Sequence, residues 1–401
     1  MKPKQLILLV IAALVLGGGG LWVLKQRSAG FDRSRANMGG SLLGSFDGGA
    51  VAALRIQQGS NAVNIVRDGQ DWVVRERGNY PANIADLGAF LQKLDGLKVA
   101  RPVNVGASRL PLLDLTGTAA TVVELLGSDG KAIRTLRLGK QSTKGGGGDD
   151  AFGGGGYPDG RYVQVGDSVS LVGDPLSNAR PSPEEWIAKE FVKVEQPLSV
   201  RIVHPESSNS FTLTRTNEFA DWTLVEPAEG EVLDKNKIYS FASLLGSASF
   251  NDVILNPDVA ALGLDQPVTA QVKTAGGFTY DVKVGKADGE NHPVQVTVAA
   301  ELATERKPGA DEKPEDKERL DKEFKEKQAT LQQRLKTEQA LSKWTFKVSK
   351  WTVEPLLKKR SELMTAPKSE TPAGGGPGAD GGLPGESPFP LPTLPTLPGA
   401  K

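Results

Sequence analysis

The sequence predicts an α+β fold: an N-terminal transmembrane helix, then two tandem duplicated units, each an antiparallel sheet with a packed helix. Three observations predict it. Residues 63–74 read VNIVRDGQDWVV, and residues 211–225 read FTLTRTNEFADWTLV. Each alternates apolar and polar residues to an Arg (Arg67, Arg215), turns, meets Asp-Trp (Asp71-Trp72, Asp221-Trp222) and alternates again. Period two buries one face of a strand, and two such runs around a short polar turn make a hairpin. Each hairpin is followed by apolar residues at helical spacing. A long uncharged apolar run opens the chain.

That run begins at Gln5 and ends at Leu24. At about 1.5 Å per residue it just spans a hydrocarbon core of about 30 Å. Lys2 and Lys4 precede it, Lys25 and Arg27 follow it, and Trp22 sits near one end, where an interfacial aromatic is favoured. Three readings compete: a signal anchor with the bulk exported, a cleaved signal peptide, and an anchor with a cytoplasmic bulk. The first is preferred, because basic residues rather than a small-x-small cleavage site follow the run. Membrane lipid contacted through Gln5 to Leu24 is then the first partner. Residues 1–27 form the anchor, and 28–50, rich in Gly and Ser, read as a tether.

The 48 acidic and 48 basic residues cancel, which argues against a nucleic-acid partner. The 401-residue chain holds no Cys, so disulfides, thiolate metal sites and Cys nucleophiles are excluded.

The first unit covers 51–190. Ala53 to Ile56 form a strand before the Trp72 hairpin. Ile84, Leu87, Phe90, Leu91, Leu94 and Leu97 then make a helical stripe. Residues 121–125 and 133–138 form a second hairpin across Ser128-Asp129-Gly130, closed by Gly139-Lys140. Residues 162–165 and 169–172 pair around Gly166-Asp167, and Pro183 opens a short helix.

The second unit, 197–363, repeats the order. Val200-Arg201-Ile202 matches Leu54-Arg55-Ile56. Ile238, Phe241, Leu244 and Leu245 match the helix of Phe90 and Leu94. Leu262-Gly263-Leu264-Asp265 matches Leu112 to Leu115, and Gly285-Lys286 matches Gly139-Lys140. So many landmarks in one order imply internal duplication. The copies differ in a charged insert, 300–343. There Glu318/Lys322, Asp321/Lys325 and Glu323/Lys327 favour an exposed helix, and Leu320, Phe324, Leu331 and Leu335 form a thin apolar stripe. The insert reads as a solvated helical excursion, or as a partner-binding or coiled-coil arm. Residues 364–401, rich in Pro and Gly, read as a disordered tail or as a docking peptide bearing Phe389, Leu391, Leu394 and Leu397.

These landmarks carry a resemblance. An anchor, then strand, I-x-R-x-x-x-x-W, an apolar helix with Phe-x-x-x-Leu, L-x-L-D and a hairpin ending in Gly-Lys resembles the bacterial membrane-anchored proteins grouped as domain of unknown function 4340. The resemblance spans 51–363. It implies an envelope accessory role beside ABC-type transport systems, hence a membrane-protein partner, and it transfers no catalytic residue. The insert and tail depart from the family pattern.

No site residue is nominated: no catalytic, cofactor or metal position is expected. His204 and His292 each lie beside a Pro, without a partner at metal-ligand spacing. Gly139-Lys140 is followed by Gln141, and Arg134 stands where a phosphate loop needs its first Gly. Asp149 and Asp150 lie in the Gly-rich stretch 145–156 and read as solvated. Arg67 and Arg215 are expected to stack on Trp or to form surface ion pairs. The expectation is a non-enzymatic scaffold in a bacterial inner membrane with its bulk in the periplasm. The alternative is an exported binding module for a small ligand or glycan in the cleft between the units.

Overall fold

A computed structural model describes residues 38–144, 157–306, 308 and 313–365. The expected anchor, the Asp149-Asp150 loop and the tail beyond Thr365 lie outside the described residues. Among the described residues no helix is long and apolar enough to cross a membrane.

The chain builds an α+β fold with two antiparallel sheets. The strands of the first are β1 (Ala53–Gln58), β2 (Asn61–Asp68), β3 (Asp71–Val74), β4 (Tyr80–Pro81), β5 (Val99–Val103), β6 (Thr121–Leu126), β7 (Ala132–Lys144), β8 (Tyr157–Val165) and β9 (Ser168–Val172). They lie in the order β4-β3-β2-β1-β6-β7-β8-β9-β5. The second holds β10 (Pro197–Val203), β11 (Phe211–Thr214), β12 (Thr223–Leu224), β13 (Asp252–Ile254), β14 (Val268–Thr274), β15 (Phe278–Val284), β16 (Asn291–Ala300) and β17 (Thr345–Ser349). Their order is β12-β11-β10-β14-β15-β16-β17-β13. From β3 onward the first order reappears position by position in the second.

Alternation decides which face is buried. Leu54 and Ile56 of β1, Val63 and Ile65 of β2, Val123 and Leu125 of β6, and Leu136 and Leu138 of β7 are wholly buried. Helix α1 (Ile84–Asp95) crosses that face, carrying the chain from β4 at one edge to β5 at the other. Asn83 caps it, its side-chain oxygen accepting from the amides of Ala85 at 3.1 Å and Asp86 at 3.2 Å. Leu87, Phe90 and Leu94 are buried, each burial stabilising by about 1.5–3 kcal/mol. Ile84, expected in the same stripe, is exposed at the first helical position. In the second sheet the corresponding helix is a single turn, α2 (Lys235–Ile238), which tightens into a 3-10 stretch, Tyr239–Ser243. Asn236, Ser240 and Ser243 have low helix propensity, which disfavours a longer helix. Ile238, Phe241, Leu244 and Leu245 are nonetheless all buried.

The Gly-Lys landmark has a steric cause. Gly139 lies inside β7, and a β-carbon there would collide with the carbonyl oxygen of Leu113. Gly285, just past β15, would likewise strike the carbonyl oxygen of Leu262. In both sheets the Leu-rich turn presses its backbone onto the strand where only glycine leaves room.

The sheets differ at one hairpin. β8 and β9 are joined by the tight turn at Gly166-Asp167. Their counterparts β16 and β17 part after the pair Val294 and Phe346. β16 runs on to Ala300, and helix α3 (Pro314–Ala340) returns over it. Leu331 and Leu335 pack on the core, while Leu320 and Phe324 are only half-buried. Along its outer face Arg319 pairs with Asp316 and Glu323, and Lys322 with Glu326. A last helix, α4 (Lys350–Leu357), buries Val353 and Leu356.

Both sheets share one hydrophobic core and belong to one compact unit that ends at Met364. The described end of the expected tether is docked rather than free. Gly39 donates to Val99 at 2.8 Å, Leu43 is buried, and Arg134 donates to the carbonyls of Leu43 at 2.8 Å and Ser45 at 2.9 Å.

Gly139→Ala and Gly285→Ala should each destabilise the protein by about 1–3 kcal/mol in urea denaturation, through overpacking against fixed backbone. Gly173→Ala, where a methyl group meets nothing within 4 Å, should stay within about 0.5 kcal/mol of wild type.

Candidate functional site

The sheets join at an aromatic seam. Tyr80 of β4 meets Trp344 edge-on at 4.9 Å, Phe250 at 5.9 Å and Phe346 at 6.3 Å between ring centroids. Phe191, on the segment linking the sheets, packs on Phe250 at 5.4 Å and Phe346 at 4.9 Å. Edge-on pairs of this kind contribute about 0.5–1.5 kcal/mol each beyond area burial. Burial, reinforced by the charge of Glu190, pushes the Tyr80 phenol above its ordinary range, so it stays protonated.

A charged clamp borders the rings. Arg77 donates to both carboxylate oxygens of Asp252, at 2.6 and 2.9 Å, and to Glu184 at 2.9 Å. The fork of a guanidinium fits a carboxylate in this two-point way, which fixes orientation as well as distance. Lys189 donates to the Asn251 carbonyl at 2.6 Å and lies 5.0 Å from the Phe250 ring centre. Burial lowers its pKa, and the nearby Asp252 and Glu184 oppose that.

Beside the clamp a cleft of about 390 Å³ opens between the sheets. Its walls include Gly78, Leu255, Asn256, Gln295, Lys343 and Trp344. Gly78 is left-handed at φ 63°, and a β-carbon there would lie 3.0 Å from Leu255 and 3.5 Å from Trp344. Gln295 donates to the Thr345 hydroxyl at 3.0 Å. A broader surface groove of about 790 Å³ lies where Met38 enters the fold, beside Lys93 and Lys98.

A buried polar network fastens α3. Glu338 accepts from the Tyr280 hydroxyl at 2.9 Å, from Arg334 at 3.0 Å and from the Lys193 amide at 3.2 Å. Arg334 also donates to Glu195 at 2.8 Å, to the Tyr280 hydroxyl at 2.9 Å and to the Lys193 carbonyl, and lies over the Phe278 ring at 4.8 Å. Burial, then the neighbouring Glu338 charge, raises the Tyr280 pKa out of reach of physiological titration. Every member has partners, so the network fixes a geometry rather than poising a proton for transfer.

The singled-out residues scatter. Arg215 stacks on Trp222 at 4.6 Å and bonds the carbonyls of Pro197 and Glu218; burial lowers its pKa. Arg67 pairs in register with Trp72 but is exposed. His204 is buried, its Nε2 3.0 Å from the Lys358 carbonyl oxygen. His292 lies on β16 with Nδ1 2.9 Å from the Gly285 carbonyl oxygen. Among the described residues no cluster of His, Asp or Glu could hold a metal ion. The seam went unforeseen because Tyr80, Phe250 and Trp344 are far apart in sequence, and each alone reads as ordinary core.

Arg77→Leu should lower stability by about 1–3 kcal/mol in urea denaturation, because it leaves Asp252 without its two-point partner in a part-buried setting. A second test concerns Glu231, whose carboxyl is held at about 2 by hydrogen bonds from Arg360 and the Ala228 amide. A depressed carboxylate stabilises above its unfolded pKa of about 4.3 and loses that contribution as pH falls through the folded value. Wild type should therefore exceed Glu231→Gln in melting temperature at neutral pH, and the gap should close between about pH 4.5 and 2. Each side chain of the pair is 22% exposed, so solvent screening keeps the gap small.

No curated protein and no solved structure gives a significant match. A family model does: Domain of unknown function (DUF4340) matches residues 72–267, from Trp72 at the first hairpin to Pro267 just before β14. That segment carries α1, Gly139-Lys140, the Trp222 hairpin and the second Leu-rich turn, while β1, β2, Gly285-Lys286 and the charged insert lie outside it, so over this region, a little under half of the chain, the protein is similar to the DUF4340 family.

Proposed function

We propose that the chain is a non-enzymatic, membrane-anchored envelope protein that serves as an accessory or scaffold subunit of a membrane complex of the ABC-type transport kind. The supporting observation is the seam. Residues from both sheets lock one core through five rings and a two-point ion pair, which suits a rigid spacer more than a chain whose parts close on a substrate. The apolar run from Gln5 to Leu24 supplies the anchor, with the bulk in a bacterial periplasm. The outer face of α3 offers a long charged surface to a partner.

Fractionation and detergent co-purification test this. The protein should leave the membrane only with detergent and bring an integral membrane partner in stoichiometric amount. A reporter fused to the carboxyl end should be active only when of the kind that works outside the cytoplasm. Recovery as a salt-extractable monomer without partners would overturn the proposal.

A second reading, an exported module that binds a small ligand or glycan, is favoured by the cleft beside Trp344. Small-ligand sites lie preferentially at the junctions of structural units.

A further inference from the structure

The cleft between the sheets has a chemistry that narrows its occupant. Its volume of about 390 Å³ falls at the small end of the range for ligand sites, about 300–1,000 Å³. One wall is apolar: Leu255, which is exposed, and the half-buried indole of Trp344, which also meets Tyr80 edge-on. The opposite character comes from neutral hydrogen-bonding groups, the amides of Asn256 and Gln295 and the hydroxyl of Ser342. No carboxylate lines it, and Lys343 is its single charge. An aromatic ring beside several neutral amides and a hydroxyl matches a molecule with an apolar face and a rim of hydroxyl groups. It does not match a cation, which would need carboxylates, nor a polyphosphate, which would need more than one cation or a cradle of backbone amides.

We infer that this cleft is a binding site for a sugar of one or two rings, with the ring face lying on Trp344 and the hydroxyls meeting Asn256, Gln295 and Ser342. This rests on the second reading above and names its ligand class. Gly78 belongs to the site for a spatial reason, since any side chain there would press on Leu255 and Trp344 and narrow the mouth. The Arg77–Asp252 clamp and the Tyr80 edge contact fix Gly78, the lining residue from the first sheet's side, against the walls built by the second, so the mouth of the site is preformed.

Saturation-transfer NMR on the full chain in detergent tests this, with maltose, cellobiose and N,N′-diacetylchitobiose as probes. At least one should show ring-proton saturation, with a dissociation constant of about 1 mM or tighter. Ser342→Trp adds bulk at an exposed position on the cleft wall and should weaken binding about tenfold or more without shifting the melting temperature. Trp344→Phe should also weaken binding, but it alters the seam, so Ser342→Trp decides. If no probe binds, or if binding survives Ser342→Trp, the sugar assignment is overturned. A parallel screen with uncharged aromatic fragments separates the two claims. Fragment binding abolished by Ser342→Trp, with no sugar bound, overturns the sugar class and leaves the cleft a ligand site. Silence from both sets overturns the ligand-site reading too.

Discussion

The fixed separation of the two sheets depends on the packing of Tyr80 against Trp344. Among the described residues, β4 is the one strand of the first sheet without a counterpart in the second, and it carries the ring that crosses the junction. Tyr80 is brought there by β3, whose Val74 pairs with it, and by the left-handed turn at Gly78 and Asn79. Trp344 is brought there by the return of α3 into β17. The repeated architecture makes two similar sheets; this additional edge strand makes them one core.

Much of the repeated part was legible. Alternation and turn signals identified β1, β2, β3, β6, β7, β8, β9 and β11, because a half-buried antiparallel strand writes its burial directly into period two. The Trp222 hairpin behaved as the residues suggest, with Arg215 stacked on a buried indole. The short edges β4, β5 and β13 were not legible. β4 and β13, at two and three residues, are too short for a periodic signal, β5 is interrupted by Pro102, and Tyr80-Pro81 carries a proline that argues for a turn unless the strand lies at an edge. The candidate site was harder still. Gln295 looks like a solvent-facing strand residue and Ser342 like the end of a helix. Only the meeting of β16, α3 and the residues after β13 makes them neighbours.

Glu338 teaches a related lesson. In sequence it is one of many acidic residues on a polar helix, yet it is buried and accepts three hydrogen bonds. Its environment is set by Tyr280 on a strand nearly sixty positions earlier and by Arg334 one turn before it. The Arg334–Glu338 spacing of four residues was visible in the sequence; the desolvation that gives the pair its importance was not.

The place where α3 interrupts the second sheet has an architectural consequence. Its departure and return points belong to one antiparallel pair, so their ends are neighbours whether or not anything intervenes. Lengthening a connection between ends already close adds entropy cost only logarithmically, about 0.6 kcal/mol for each doubling. Strand order and register are thus indifferent to how long that excursion grows. The fold can trade a two-residue corner, as its first half keeps, for a helix about 40 Å long, without rewiring a single ladder.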